Sequence, residues 1–260
     1  MKSTDENKQA FAGIVSVSAL VRAAATGVCR RKILRILIGK DRFRSDRRRV
    51  EFLKETSSKL GIPLEFTDET TIDCIAGAES HGGFLAEATP AAYPGIESVS
   101  PLKYPFSVLL DGIEDPYSLG HAARVLYCCG ADALLLHRLP FASDATVCRA
   151  SAGAFELLPV FLCDSAEAAA AYRSAGVRTV AAGIRDSVDI AEADLSLPML
   201  LICGGEKRGI SSAVSEQTDL TVRIPYARPF RGSLPAETAV SVFAYEIMKT
   251  NRLKMPCDNS

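Results

Sequence analysis

The sequence predicts an α/β protein in two parts, a small α/β sandwich followed by a larger domain built on a parallel sheet. Three observations lead there. Beyond residue 106, short runs that are apolar at nearly every position alternate with helix-length segments, which is the pattern of strands covered on both faces. Residues 88–106, ATPAAYPGIESVSPLKYPF, hold prolines and a glycine without periodic apolar order, so they form a linker. Ahead of that linker, helix and strand patterns also alternate, but there the chain is rich in arginine. The boundaries read from this are a first domain at 1–98 and a second at 107–260.

In the first part, residues 17–25 read as a helix closed by Gly27, 33–38 as a strand, and 46–60 as a helix ending at Gly61. Strands are expected at 63–66 and 84–88, with a short helix near Ile72 between them. In the second part the strands fall at 108–111, 133–136, 158–162, 179–182, 199–203 and 220–224. Helices are expected at 119–129, 144–152 and 166–174, with a short one after Gly209 and a last one at 236–250. Ligands on sheets of this kind bind beyond the strand C-terminal ends, so the chemistry is sought in those loops.

Composition narrows the class. At 260 residues the chain can bury one large core or two modest ones. No apolar run approaches the ~20 residues that cross a bilayer. The start, MKSTDENKQA, is polar, so neither a secretory signal nor a membrane anchor is expected, and the expected location is cytoplasmic. None of the eight cysteines forms a C-x-x-C pair, and most sit in apolar stretches, so buried free thiols are expected. His81, His121 and His137 lie far apart without ligand spacing, and no metal site is expected.

Net charge is −1, but it is unevenly spread. Arg22, Arg30, Arg31, Lys32, Arg35, Lys40, Arg42, Arg44, Arg47, Arg48 and Arg49 are opposed in their own segment only by Asp41 and Asp46. Such a run is either a solvated face or a nucleic-acid surface. Its arginine content and confinement to one end favour RNA, because guanidinium forks suit phosphate and clustered cations release counterions. Arg30, Arg31, Arg47, Arg48 and Arg49 are the candidate contacts.

Three loops stand out in the second part. In DGIEDPYSLGHAARVLYCCGA, residues 111–131, a strand ends at Asp111 and Ser118 is placed to cap a helix that stops before Gly130. Arg124, amid Ala122, Ala123, Val125 and Leu126, needs either an ion-pair partner or a substrate. In LLICGGEKRGIS, residues 200–211, Gly204 and Gly205 let backbone approach a ligand, and the pattern is not G-x-G-x-x-G. In VRIPYARPFRGSLPAETAVSVFAYEI, residues 222–247, a strand ends at Ile224-Pro225 and a basic loop leads through Ser233-Leu234-Pro235 into the last helix.

In this order and spacing, DPYSLGHAAR, CGGEKRGIS and RIP…SL…VFAYE resemble the three signature motifs of the SpoU (TrmH-like) RNA ribose methyltransferases of the SPOUT superfamily. CRASAGAFELLPV at 148–160 and HGGFLAE at 81–87 are similar to further family segments, so the resemblance covers nearly the whole chain. It implies a trefoil knot in the parallel-sheet domain, an RNA substrate-binding domain ahead of it, and a homodimer whose sites are completed across the interface. It implies S-adenosylmethionine, held largely by backbone at Gly204, Ile224 and Leu234, and an RNA substrate, ribosomal or transfer. Arg124 matches the arginine that activates or orients the ribose hydroxyl, Glu206 the acid of the second motif, and Ser233 a serine near the reacting atoms. Ser118 and Pro235 stand where the family usually has asparagine, and so does Gly205. Serine keeps a short hydrogen-bonding side chain, whereas proline lacks both a side-chain donor and an N–H.

The implied activity is methyl transfer to a ribose 2′-hydroxyl. The alternative is a dimeric homologue that binds RNA, with or without the cofactor, but no longer turns over. A nucleotide-dependent oxidoreductase is disfavoured, since no dinucleotide fingerprint follows the first strand of the second domain.

Overall fold

The structure is a computed structural model that describes residues 8–77, 80–139, 144–205 and 207–253. Among these the chain divides into two compact units, one of residues 8–92 with 144–157 and one of 93–139 with 158–253.

The first unit begins with β1 (Gln9–Ala12), α1 (Ile14–Thr26), β2 (Ile33–Gly39), α2 (Arg42–Ser45), α3 (Arg47–Leu60), β3 (Leu64–Thr67), α4 (Glu69–Ala76) and β4 (Phe84–Ala88). Its sheet runs β1-β4-β2-β3, with β4 antiparallel to both neighbours and β2 parallel to β3. The helices α1 and α3 end where Gly27 and Gly61 enter the left-handed region, the two stops legible in the sequence. Phe11, Leu20, Ile36, Ile38, Leu53 and Phe84 close the core between sheet and helices. Burying each of the large side chains contributes about 1.5–3 kcal/mol. The strand β1 has no counterpart in the sequence reading, because four residues at the edge of a polar start carry too little periodicity to register.

The second unit opens with β5 (Phe106–Asp111), α5 (Pro116–Cys128) and β6 (Ala133–Leu136). Two short helices of the first unit, α6 (Ala145–Ala150) and α7 (Ala154–Leu157), come next in the chain. The second unit resumes with β7 (Val160–Leu162), α8 (Ser165–Ser174), β8 (Arg178–Ala182), β9 (Val188–Asp189), β10 (Met199–Gly204), α9 (Ser212–Ser215), β11 (Leu220–Arg223) and α10 (Ala236–Thr250). All seven strands are parallel, in the order β7-β6-β5-β10-β8-β11-β9. The order is not sequential: β10 is inserted between β5 and β8, and β11 lies on the far side of β8. The central strand β10, MLLICG, is buried from Met199 to Cys203, and α10 packs along α5.

Two sequence expectations differ from this architecture. The expected linker is not free chain, since Ile96, Val99 and Tyr104 pack against the second unit's core. Residues 144–157, read as part of the second domain, belong to the first unit, where Cys148 and Ala145 join the core. Gly153 shows why: a Cβ there would lie 2.4 Å from the Ala19 Cβ, so only glycine lets this segment close on α1.

Candidate active site

The C-terminal ends of β5, β8, β10 and β11 converge on one rim of the parallel sheet, the ligand side of such folds. There β10 runs into Gly204-Gly205, and the backbone folds back so that Gly205 bridges Gly209 and its N–H donates to the Asp111 carbonyl at 2.7 Å. A Cβ on Gly204 would lie 2.3 Å from the Gly209 carbonyl carbon, and one on Gly205 2.1 Å from the Gly112 oxygen. Both glycines are therefore dictated by backbone meeting backbone. Asp111 ties the rim together, its carboxylate accepting from the Ser165 hydroxyl at 2.8 Å and from the Ser211 N–H at 3.4 Å.

A cavity of about 450 Å³ opens beside this turn, lined among others by Gly183, Arg185, Gly204, Ile210, Ser233 and Leu234. Cys203 closes its inner wall; burial pushes that thiol up to about 12, so it stays protonated and serves as an apolar surface. Ala236 is shared with a smaller cavity of about 120 Å³, lined by Ser118, Gly112, Ile113, Asp115 and Lys207. Glu114 at this second mouth receives Lys207 at 2.6 Å, and that hydrogen bond holds its carboxyl below the usual range.

Gly204, Ser233 and Leu234 thus share one cavity, and Ser118 lines its neighbour. Ile224 lies just past the end of β11 and does not line the cavity, although Thr221 of the same strand does. Glu206 lies outside the described residues. Arg124 is exposed on α5 and has no ion pair or hydrogen bond among the described residues, so the structural salt bridge weighed for it is absent there. It lines neither cavity.

Ser118 is not the helix cap expected of it. Asp115 caps α5 by accepting the Ser118 N–H at 2.7 Å, with Pro116 opening the first turn, which leaves the Ser118 side chain beside the cavity. Pro235 occupies the capping position of α10 without a side-chain bond. Tyr226 was missed altogether. Its hydroxyl accepts the Leu234 N–H at 3.0 Å, so of that residue's backbone only the carbonyl is open to a ligand. A tyrosine in a polar loop carries no periodicity that would reveal this. Glu237, in the first turn of α10, has a carboxylate oxygen shielded from solvent with no hydrogen-bond partner among the described residues.

The basic run in the first unit divides. Arg31 is internal: its guanidinium meets Asp144 at 2.6 Å and Glu156 at 3.0 Å, and lies 4.6 Å from the Phe11 ring centroid. Arg30, with a side chain only 6 % exposed, donates to the Phe155 carbonyl at 2.7 Å. Neither can reach phosphate, which corrects the RNA-contact reading of both; the carboxylates that hold them come from a segment more than a hundred residues away. Arg47 and Arg49 are exposed but paired, with Glu51 at 2.8 Å and Asp46 at 3.1 Å. Arg48 is exposed and has no carboxylate partner among the described residues.

Residues 105–245 match the SpoU rRNA methylase family, and residues 13–94 match the RNA 2′-O ribose methyltransferase substrate-binding family. The chain belongs to the SpoU rRNA methylase family. It is an RNA 2′-O-ribose methyltransferase, and S-adenosylmethionine is the methyl donor of such enzymes. Among its relatives, a putative TrmH family tRNA/rRNA methyltransferase of Bacillus subtilis is 26 % identical, over 75 % of this chain and 80 % of the relative. The 23S rRNA (guanosine-2′-O-)-methyltransferase of Photobacterium profundum is also 26 % identical, over 85 % of this chain and 91 % of that one. The AdoMet-bound rRNA methyltransferase of Sinorhizobium meliloti shares the fold with a TM-score of 0.77 at 21 % identity, covering 96 % of this chain and 89 % of that one.

Proposed function

We propose that this SpoU methylase transfers a methyl group to a ribose 2′-hydroxyl of ribosomal RNA, in the cytoplasm and as a homodimer. The observation that carries the reading is the cavity in which Gly204, Ser233 and Leu234 meet. Its volume suits a bent S-adenosylmethionine, and its Gly204 wall is fixed by the close packing of that residue against the Gly209–Ile210 backbone. Transfer RNA is the second substrate class, and the relatives named for 23S rRNA favour the first.

When bound, the donor would supply an electrophilic methyl on a sulfonium whose loss leaves a neutral thioether. This chain's residues do the rest. Backbone groups of Gly204 and Leu234 hold the donor, with the Leu234 carbonyl as its open group, and Ile224 orders the strand end beside them. The Arg124 guanidinium orients the ribose hydroxyl and stabilises the negative charge that develops on its oxygen as it attacks, the proton passing to solvent water. Ser233 and Ser118 complete the polar surroundings, Glu206 is assigned as the acid of the second motif on the family resemblance, and water exclusion with alignment lowers the barrier further. Arg124 lines neither of the two cavities and has no partner among the described residues, which supports a role in the site of the partner subunit. The exposed Tyr117 and Tyr127 on α5 and Tyr245 on α10 are the apolar surface on which two copies meet. The non-sequential strand order, with β10 and β11 on opposite sides of β8, supports the reading of a trefoil knot beside the cavity.

The test is transfer from methyl-labelled S-adenosylmethionine to total RNA of cells lacking this protein, followed by nucleoside analysis. A labelled 2′-O-methylnucleoside in the ribosomal fraction is expected. Label on a base, or in no RNA while the donor binds, contradicts the reading.

A further inference from the structure

We infer that the first unit carries a clamp for one unstacked nucleotide of the RNA, in the cleft between α1, α3 and the chain at Ala152. The inference rests on the RNA methyltransferase reading and assigns a place where the RNA is held apart from the reacting ribose.

The cleft measures about 480 Å³. Its floor is apolar, with Val15, Ala19, Phe52 and Leu157, and its rim is Arg22, Arg48 and Arg49. Arg22 comes from α1 and lies 5.4 Å from the centroid of the Phe52 ring on α3, so a flat cation and a flat ring are presented together. Val15 at the mouth is 52 % exposed. Arg22 and Arg48 are exposed and have no carboxylate partner among the described residues, and Arg49 shares its charge with Asp46 at 3.1 Å. Just outside, Arg47 is occupied by Glu51. Lys32, Arg44, Lys54 and Lys59 are also exposed without a carboxylate partner among the described residues, but they do not line the cleft; Arg22 and Arg48 are the uncompensated charges that it holds.

An apolar floor with a cationic rim is complementary to a nucleotide, whose base has a π-face and whose phosphates are anionic. A single strand can turn a base into such a cleft, whereas a duplex keeps its base faces stacked and offers only backbone. The occupant is therefore an unpaired nucleotide from a loop or bulge.

The test uses the full chain and fluorescein-labelled RNA, a single-stranded uridine 12-mer and a duplex of equal length, with binding read by anisotropy across salt concentrations. Arg22→Ala with Arg48→Ala should weaken the single strand at least about tenfold and flatten the log-affinity against log-salt slope by about 1.4, from ~0.7 for each lost contact. The control pair Lys54→Ala with Lys59→Ala, exposed on α3 outside the cleft lining, should stay within about twofold. Phe52→Leu, which keeps apolar bulk, should weaken the single strand several-fold without changing the slope and leave the duplex unaffected. Melting temperatures accompany each variant; should Phe52→Leu fail to fold, the surface pair of arginines still decides. Equal losses in the control pair, an unchanged Arg22/Arg48 variant, or a duplex weakened as much as the single strand by Phe52→Leu would overturn the clamp. Methyl transfer by the wild type keeps the two readings apart. Transfer without binding through these residues overturns the clamp alone, and binding through them without transfer overturns the enzyme reading alone.

Discussion

Arg31 and Glu156, 125 residues apart in the chain, meet inside the first unit at 3.0 Å with both side chains fully buried, and Asp144 completes the pair from 2.6 Å. The contact fastens the segment after β6 to the start of β2. Removing one member of a buried pair strands the others in low dielectric, which costs about 3–5 kcal/mol. Arg31→Ala should therefore lower stability by that amount in urea denaturation. Its donor affinity per folded molecule should be unchanged. A loss of RNA affinity with full stability would instead return Arg31 to the RNA surface.

Arg124 makes the opposite forecast. It is exposed and has no partner among the described residues, so Arg124→Ala should leave the melting temperature within about a degree, as surface changes do. Turnover should fall by about a hundredfold or more, the scale of one donor that stabilises a developing oxyanion. Calorimetry and methyl transfer on one variant check both halves. A large loss of stability with activity per folded molecule intact contradicts the assignment.

The three positions that depart from the family's asparagines should respond differently. Gly205→Asn places a Cβ against the Gly112 carbonyl oxygen, backbone that cannot yield, so the turn should distort and donor affinity fall at least about tenfold. Pro235→Asn supplies the side-chain cap that α10 lacks and should stabilise the chain by about 0.5–1 kcal/mol. Ser118→Asn enters a cavity rather than a cap and should change turnover, not stability. Isothermal titration with S-adenosylmethionine and thermal melts separate these outcomes.

Dimerisation should depend on the tyrosines of α5 and α10. Tyr127→Lys with Tyr245→Lys introduces like charges into the proposed interface and should convert the full chain to monomer at tens of micromolar in light scattering. Activity should be lost with the dimer if Arg124 serves the neighbouring subunit. A monomeric wild type, or a monomeric variant with full turnover, contradicts the shared site.

Much of the fold was legible because its elements are long enough to show a period. The last helix, 236–250, is found where the sequence places it, and the glycines at 27 and 61 stop their helices as expected. The edge strands β1 and β9 were not legible, because QAFA and VD lie beside polar residues without the continuous apolar run that marks equally short strands such as β6. In the site, the glycine turn at 204–205 was legible after its apolar strand, and Gly204, Ser233 and Leu234, named by the family resemblance, line one cavity. The fate of the arginines did not. Local sequence shows Arg30 and Arg31 in a basic run, whereas their partners Phe155, Asp144 and Glu156 are distant in the chain and brought close only by folding. Tyr226, eight residues from the N–H that it accepts, was hidden for another reason, because an irregular loop has no period from which such a contact can be read.

Methyl transfer to RNA by the wild-type chain tests the central claim most directly. Labelled donor, total RNA from cells lacking the protein, and nucleoside analysis of the separated ribosomal and transfer fractions suffice. The account predicts label in a 2′-O-methylnucleoside of ribosomal RNA, its initial rate lowered about a hundredfold or more by Arg124→Ala. Tight donor binding by a folded dimer with no label in any RNA, before and after Pro235→Asn and Ser118→Asn, would contradict it.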